Sequence, residues 1–195
     1  RLSSPALKEG VIRGLLDSGL DVDDVGLVST PTFYFAVASY GYDGGIQVSA
    51  SHNPGKYNGL KMARRSARPV SKESGIYAIR DMISGGKLPP PAAEKGSCTG
   101  SQGALKDEFN TELADTDLKD IKPFRVVADA ANAMGALYLK ELFLHLRGEF
   151  TPLNFELDGS FPAHEANPMN PDNMKQLEEA VLSRKADLGI ATDGD

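Results

Sequence analysis

Apolar residues recur along this chain with two alternating periods. Leu7, Val11 and Leu15 stand four apart, with Ile12 and Leu16 beside them, which is one face of a helix. Ser4 is the predicted cap, Pro5 the first helical residue, and Gly19 the left-handed stop. A short strand is expected at 25–28, a buried helix at 32–40 after Pro31, and strands at 45–50 and 60–63. A helix is expected at 75–83. Residues 85–103 carry three consecutive prolines, many small residues and no hydrophobic period, so they read as a linker. After a helix at 104–114 the pattern restarts. It gives a strand at 124–129, a helix at 135–147 and a strand at 150–155. A helix opens at Asn170-Pro171 and carries Met174, Leu177 and Val181; a final buried strand covers 186–191.

Strands alternating with helices in two blocks predict an α/β fold of two consecutive units, each a mixed sheet packed between helices. The expected division is 1–95 and 104–195. With 195 residues, 41% of them hydrophobic, both units are large enough for a core.

Composition narrows the function classes. A net charge of −6 argues against nucleic acid or an anionic membrane as partner. No apolar run approaches the roughly 20 residues that span a bilayer. The chain opens Arg1-Leu2-Ser3-Ser4-Pro5 with neither Met nor an apolar leader, so the expectation is a natural start further upstream and a cytoplasmic location. Cys98, the single cysteine, leaves no internal disulfide and no cysteine metal cluster. Charge is uneven, however. No acidic residue lies between Asp43 and Glu73, a stretch holding His52, Lys56, Lys61, Arg64, Arg65, Arg68 and Lys72. Two readings stay open for it: a solvated basic face, or a patch that focuses a small anionic substrate.

Two short motifs carry candidate chemistry. Ser51-His52-Asn53-Pro54 follows a predicted strand, where α/β sheets place ligands. Pro54 stiffens the loop, Asn53 can bond local backbone, and His52 is titratable. An ordinary Ser/Asn turn is the competing reading. Asp193 and Asp195 stand two apart after a buried strand, so in extended geometry both carboxylates point one way. Such a pair repels unless a cation lies between, and hard oxygens suit Mg²⁺. An exposed acidic turn is the alternative. Taken together, a hydroxyl, a carboxylate pair and a basic segment are the parts that phosphoryl transfer needs.

The run Gly44-Gly45-Ile46-Gln47-Val48-Ser49-Ala50-Ser51-His52-Asn53-Pro54, followed by Tyr57-Asn58-Gly59-Leu60-Lys61, resembles the phosphoserine loop of the α-D-phosphohexomutases. Arg1 to Pro5 resembles the end of that family's G-x-D-x-R-x-S block, and Gly26 to Thr32 its G-x-x-x-T-P turn. Asp158 to Pro168 resembles the stretch before the metal domain, and Thr192 to Asp195 the start of its D-G-D-x-D-R loop. The resemblance covers nearly the whole chain. It implies the first two domains of a phosphohexomutase and a reaction interconverting hexose 1- and 6-phosphates, of mannose and also glucose. The route would run through phosphoserine 51 and a hexose 1,6-bisphosphate. The phrase Ala67-Arg68-Pro69-Val70-Ser71 resembles the bacterial phosphomannomutase branch. Ser51, Asp193 and Asp195 would hold Mg²⁺, with a third aspartate. Ser51, His52 and Lys61 would be catalytic, and Arg1 and Asn53 would bind phosphate. Small sugar phosphates are the implied partners.

Departures accompany the match. Ala133 stands where an N-G-x-G loop often has glycine. The third aspartate, its arginine, the upstream Y-D-I-R-G-like segment and the third and fourth domains have no counterpart here, so these 195 residues alone are not expected to isomerise sugars. Phosphoglucosamine mutase and a non-catalytic sugar-phosphate-binding fragment remain alternatives. A haloacid-dehalogenase-type phosphatase fits worse, because its D-x-D lies near the start of its core and would leave Ser51 unexplained.

Overall fold

A computed structural model describes residues 1–114 and 116–195. The chain forms two compact α/β units. The first comprises Ser3–Val48 and Leu60–Ala104; the second comprises Arg1–Leu2, Ser49–Gly59 and Leu105–Asp195.

In the first unit, α1 (Ser4–Asp17) begins after Ser3, one residue earlier than expected, with Pro5 in its first turn. It ends where Gly19 takes a left-handed φ of +77°. The strand expected at 25–28 is displaced. The strand β1 is Val22–Asp24, and Val25–Val28 run as loop. Val28 is buried there instead as part of the core under α2 (Thr30–Ser39). Ser29 caps α2: its Oγ accepts from Thr32 N at 3.2 Å and lies 2.8 Å from Thr32 Oγ1. Phe33 and Val37 of α2 pack with Val28 and Ala63 to form this core.

β2 (Gly44–Val48) pairs antiparallel with β3 (Leu60–Arg64), which pairs with the two-residue β4 (Arg68–Pro69). The helix expected at 75–83 is α3 (Tyr77–Ser84), entered through a π-helical turn over Lys72–Ile76. The stretch read as a linker also contains a strand, β5 (Cys98–Gly100), parallel to β1 in the register Val22↔Cys98. All three β5 residues are exposed, so it is held by main-chain bonds and leaves no hydrophobic signature.

The second unit follows the expected pattern more closely. Its elements are α4 (Ala104–Leu113), β6 (Phe124–Asp129), α5 (Gly135–His145), β7 (Gly148–Leu153), α6 (Pro171–Arg184) and β8 (Leu188–Ala191). β6 lies between β7 and β8, parallel to both, with Asp129 opposite Leu153 and Ala191. The two strand directions are thus divided among sheets: parallel pairs in β1–β5 and β7–β6–β8, antiparallel pairs in β2–β3–β4.

Helices cover both faces of β7–β6–β8. Leu139, Leu142 and Phe143 of α5 pack with Ala128, Phe150, Phe155 and Ile190. Leu177 and Val181 of α6 close over Gly189, whose neighbour Ile190 faces the other way. Among the described residues no helix is long and apolar enough to cross a membrane.

Val127 sits at the centre of β6 with no exposed surface. Val127→Ala should cost about 2 kcal/mol, two buried carbons plus the void they leave. Urea unfolding followed by a probe in the second unit should show the midpoint fall with an unchanged slope.

Candidate functional site

The serine loop and the carboxylate pair meet within the second unit. Ser51 Oγ donates to Asp193 Oδ2 at 2.7 Å. Two residues earlier, Ser49 Oγ accepts from Ser51 N at 3.1 Å and donates to Asp195 Oδ1. Asp193 in turn accepts from Asp195 N at 3.0 Å through its Oδ1. Each serine therefore addresses one aspartate, and residues 142 and 146 positions apart come into contact.

Local chemistry shapes the loop for this. Ser49 N donates to Gly59 O at 3.0 Å and closes its base. Asn53 N and Nδ2 both donate to Ala50 O, at 3.0 and 2.8 Å, so the asparagine amide serves the turn itself. Ser51 takes a left-handed φ of 52°, costly for a residue with a Cβ. Gly194 makes room for it: a Cβ there would lie 3.1 Å from the Ser51 carbonyl carbon and closer still to its oxygen.

Arg1 grips the same loop. Its guanidinium donates to Ser51 O at 2.6 Å, Asn53 O at 2.7 Å and Pro54 O at 3.0 Å, and stacks 5.1 Å from the Phe161 ring centre. Burial pulls its pKa down while the nearby Asp195 carboxylate pulls it up; the net shift is downward. An arginine stays charged regardless, so Arg1 sets a positive charge near the Asp195 carboxylate. His52 Nδ1 stands 3.3 Å from Ser51 Oγ.

Lys61 belongs to the first unit, on β3, where its Nζ lies 3.3 Å from Thr30 Oγ1. Other members of the basic segment there have local partners: Arg65 pairs with Asp43, and Arg64 donates to Ser74 O.

The donor set suits a hard divalent cation. Ser51 Oγ and the Asp193 and Asp195 carboxylates are all oxygens, and Mg²⁺ is typically held by one or two carboxylates plus phosphate and water. Among the described residues no group of three or more His, Cys, Asp or Glu could hold a metal.

Sequence reasoning left Ser49 without a role, although its i, i+2 spacing to Ser51 matches the spacing of Asp193 to Asp195. Asp129 and His164 also went without a role; a lone aspartate at a strand end gives no signal by itself.

The two α/β units match successive domains of the α-D-phosphohexomutase class. Residues 1–87 match the family model for phosphoglucomutase/phosphomannomutase α/β/α domain I, and residues 107–195 match that for domain II. The chain belongs to the phosphoglucomutase/phosphomannomutase family and comprises its N-terminal domains I and II. It is 38% identical to a protein of Xanthomonas campestris pv. campestris described as phosphohexose mutases, over all of this chain and 43% of that protein. It is 36% identical to a phosphomannomutase of Salmonella montevideo, over all of this chain and 44% of that protein. The crystal structure of a phosphoglucomutase/phosphomannomutase family protein from Burkholderia thailandensis superposes with a TM-score of 0.86 at 32% identity, covering all of this chain and 43% of that one. The chain spans less than half the length of these relatives.

Gly194→Ala should force the carboxylate loop away from the serine loop. A crystal structure of the variant should show the Ser51 Oγ–Asp193 separation opened beyond about 3.5 Å, the limit of a hydrogen bond.

Proposed function

We propose that this chain is the phosphoserine-bearing half of a hexose phosphate mutase acting on mannose and glucose phosphates. The observation that carries the reading is the Ser51 Oγ–Asp193 Oδ2 contact of 2.7 Å at the loop gripped by Arg1. A hydroxyl set on a carboxylate pair, with a guanidinium behind it, is where a phosphoryl group can be carried with its charge balanced.

In the reaction, the bond between phosphorus and Ser51 Oγ breaks and a bond to the free hydroxyl of a hexose monophosphate forms. The hydroxyl proton passes to a base, and Ser51 Oγ regains one. His52, beside Oγ, is placed to exchange that proton. Lys61 is assigned as a further catalytic group on the resemblance of Tyr57-Asn58-Gly59-Leu60-Lys61 alone. The resulting 1,6-bisphosphate returns its other phosphoryl group to Ser51. Arg1 and Asn53 hold the loop in the geometry that presents Oγ. Ser51, Asp193 and Asp195 would hold Mg²⁺, which when bound neutralises phosphoryl oxygens.

Incubation with glucose 1,6-bisphosphate and Mg²⁺ should add one phosphoryl group, mapped to Ser51 by mass spectrometry. Ser51→Ala should abolish the label, and Asp193→Asn should slow it by about a hundredfold or more. Stable label at another residue, with Ser51→Ala labelled as well as wild type, would overturn the assignment.

A further inference from the structure

A buried, multiply bonded carboxylate of the second unit takes no part in that reaction. Asp129, the last residue of β6, is only 2% exposed. Its Oδ1 accepts from Ala131 N at 2.9 Å and Asn154 Nδ2 at 3.0 Å. Its Oδ2 lies 3.0 Å from His164 Nε2, and His164 Nδ1 lies 2.9 Å from the main-chain O of Glu165. A main-chain carbonyl only accepts, and so does an ionised carboxylate. The ring therefore needs a proton on both nitrogens, which makes His164 an imidazolium. Asp129 is the charged side chain that faces it. Glu165 presents its backbone, while Asn154 and its partner Gln176 of α6 are neutral. Burial works to lower the histidine pKa, but the bonds to Glu165 O and Asp129 outweigh it and the net shift is upward.

His164 anchors residues 158–168, and that segment backs two parts of the site. Phe161 lies under the Arg1 guanidinium and against the serine loop, where a Cβ on Gly55 would meet its ring at 3.6 Å. Gly159 lets the backbone of Arg1 approach so closely that a Cβ would lie 2.7 Å from Arg1 Cα. Ala166, buried with Ala131 and Ala133, would meet a Cβ on Gly194 at 3.6 Å. The segment thus touches the arginine that grips the serine loop and the glycine between the two aspartates.

We propose that His164, held as an imidazolium on Asp129, is a positioning residue for phosphoryl transfer at Ser51, acting through residues 158–168 on Arg1 and on the 193–195 loop. The transfer half of this inference rests on the carrier reading above. The coupling half does not.

The pH sense follows from the direction of the shift. A histidine pKa raised on folding contributes stability that is fully present below the unfolded value of about 6.5. That contribution is lost as pH rises through the higher folded value. The segment should loosen on the alkaline side.

The chain has three histidines, His52, His145 and His164, so ring resonances can be followed individually by NMR. Between about pH 5.5 and 9, His164 should titrate with a midpoint above 6.5. The Phe161 and Gly194 amides should move with that midpoint, and His164→Gln should remove the shared transition. Asp129→Asn keeps the ring but removes the negative charge, and should bring the His164 midpoint below 6.5. Single-turnover labelling of Ser51 by glucose 1,6-bisphosphate should slow about tenfold in His164→Gln, the usual scale for a residue that orients others. In wild type it should slow above the midpoint. A wild-type midpoint at or below 6.5, Phe161 and Gly194 amides that ignore it, or His164→Gln labelling at the wild-type rate with the wild-type pH profile would each overturn the inference. Absence of label on wild type overturns the carrier reading and the transfer half with it, while the spectra decide the coupling on their own.

Discussion

A parallel sheet delivers the carboxyl ends of its strands to one edge, and the second unit is organised by that constraint. β6 runs between β7 and β8 with Asp129 opposite both Leu153 and Ala191. The residues that follow the three strands therefore emerge side by side: Ala130 to Met134, Asn154, and Thr192 to Asp195. Asp129 can then collect Ala131, Asn154 and His164 around one carboxylate, and Asp193 can reach Ser51. Had either neighbour run antiparallel, its loop would leave from the opposite edge and the set of contacts would be lost.

Several strained backbone positions gather at this edge. Ser51, Ala131, Asn132, Asn154 and Phe161 all have left-handed φ between 47° and 57°. Each is secured by a neighbouring bond or contact. Asn132 N donates to Asn154 O at 2.8 Å, Asn132 O accepts from Asp158 N at 3.0 Å, and Phe161 N donates to Asp158 O at 3.0 Å. Strain of this kind persists only where surrounding structure over-determines it. Here it aims short loops at one another across a gap that regular backbone would leave open.

Much of this was legible in the sequence because it depended on period and on punctuation. The 124–129 strand, the helix after Asn170-Pro171 and the buried helix after Pro31 declared themselves through apolar runs and prolines at their starts. Ser51-His52-Asn53-Pro54 and the Asp193, Asp195 pair marked a candidate site, but each spacing alone also fits an ordinary turn, and it was the resemblance of the surrounding runs that joined them. What remained hidden was held by main chain or by long-range polar contacts. Val22-Asp23-Asp24 and Cys98-Thr99-Gly100 pair through main-chain bonds, and apart from the half-buried Val22 their side chains are polar or exposed. The apolar Leu27 and Val28 drew the expected strand downstream, though Val28 is buried from a loop. Asp129 and His164 are 35 residues apart and carry no spacing rule.

The pairing of β1 with β5 bears on the order in which the chain folds. Ser97 N donates to Asp21 at a separation of 76 residues, so this ladder cannot zip from a local turn. A wide loop must be closed before any of its bonds form, and such closures slow the search for the native state. During synthesis β1 would leave the ribosome long before its partner exists. It would wait as an open edge, with Asp23 and Asp24 on it to discourage pairing with other chains.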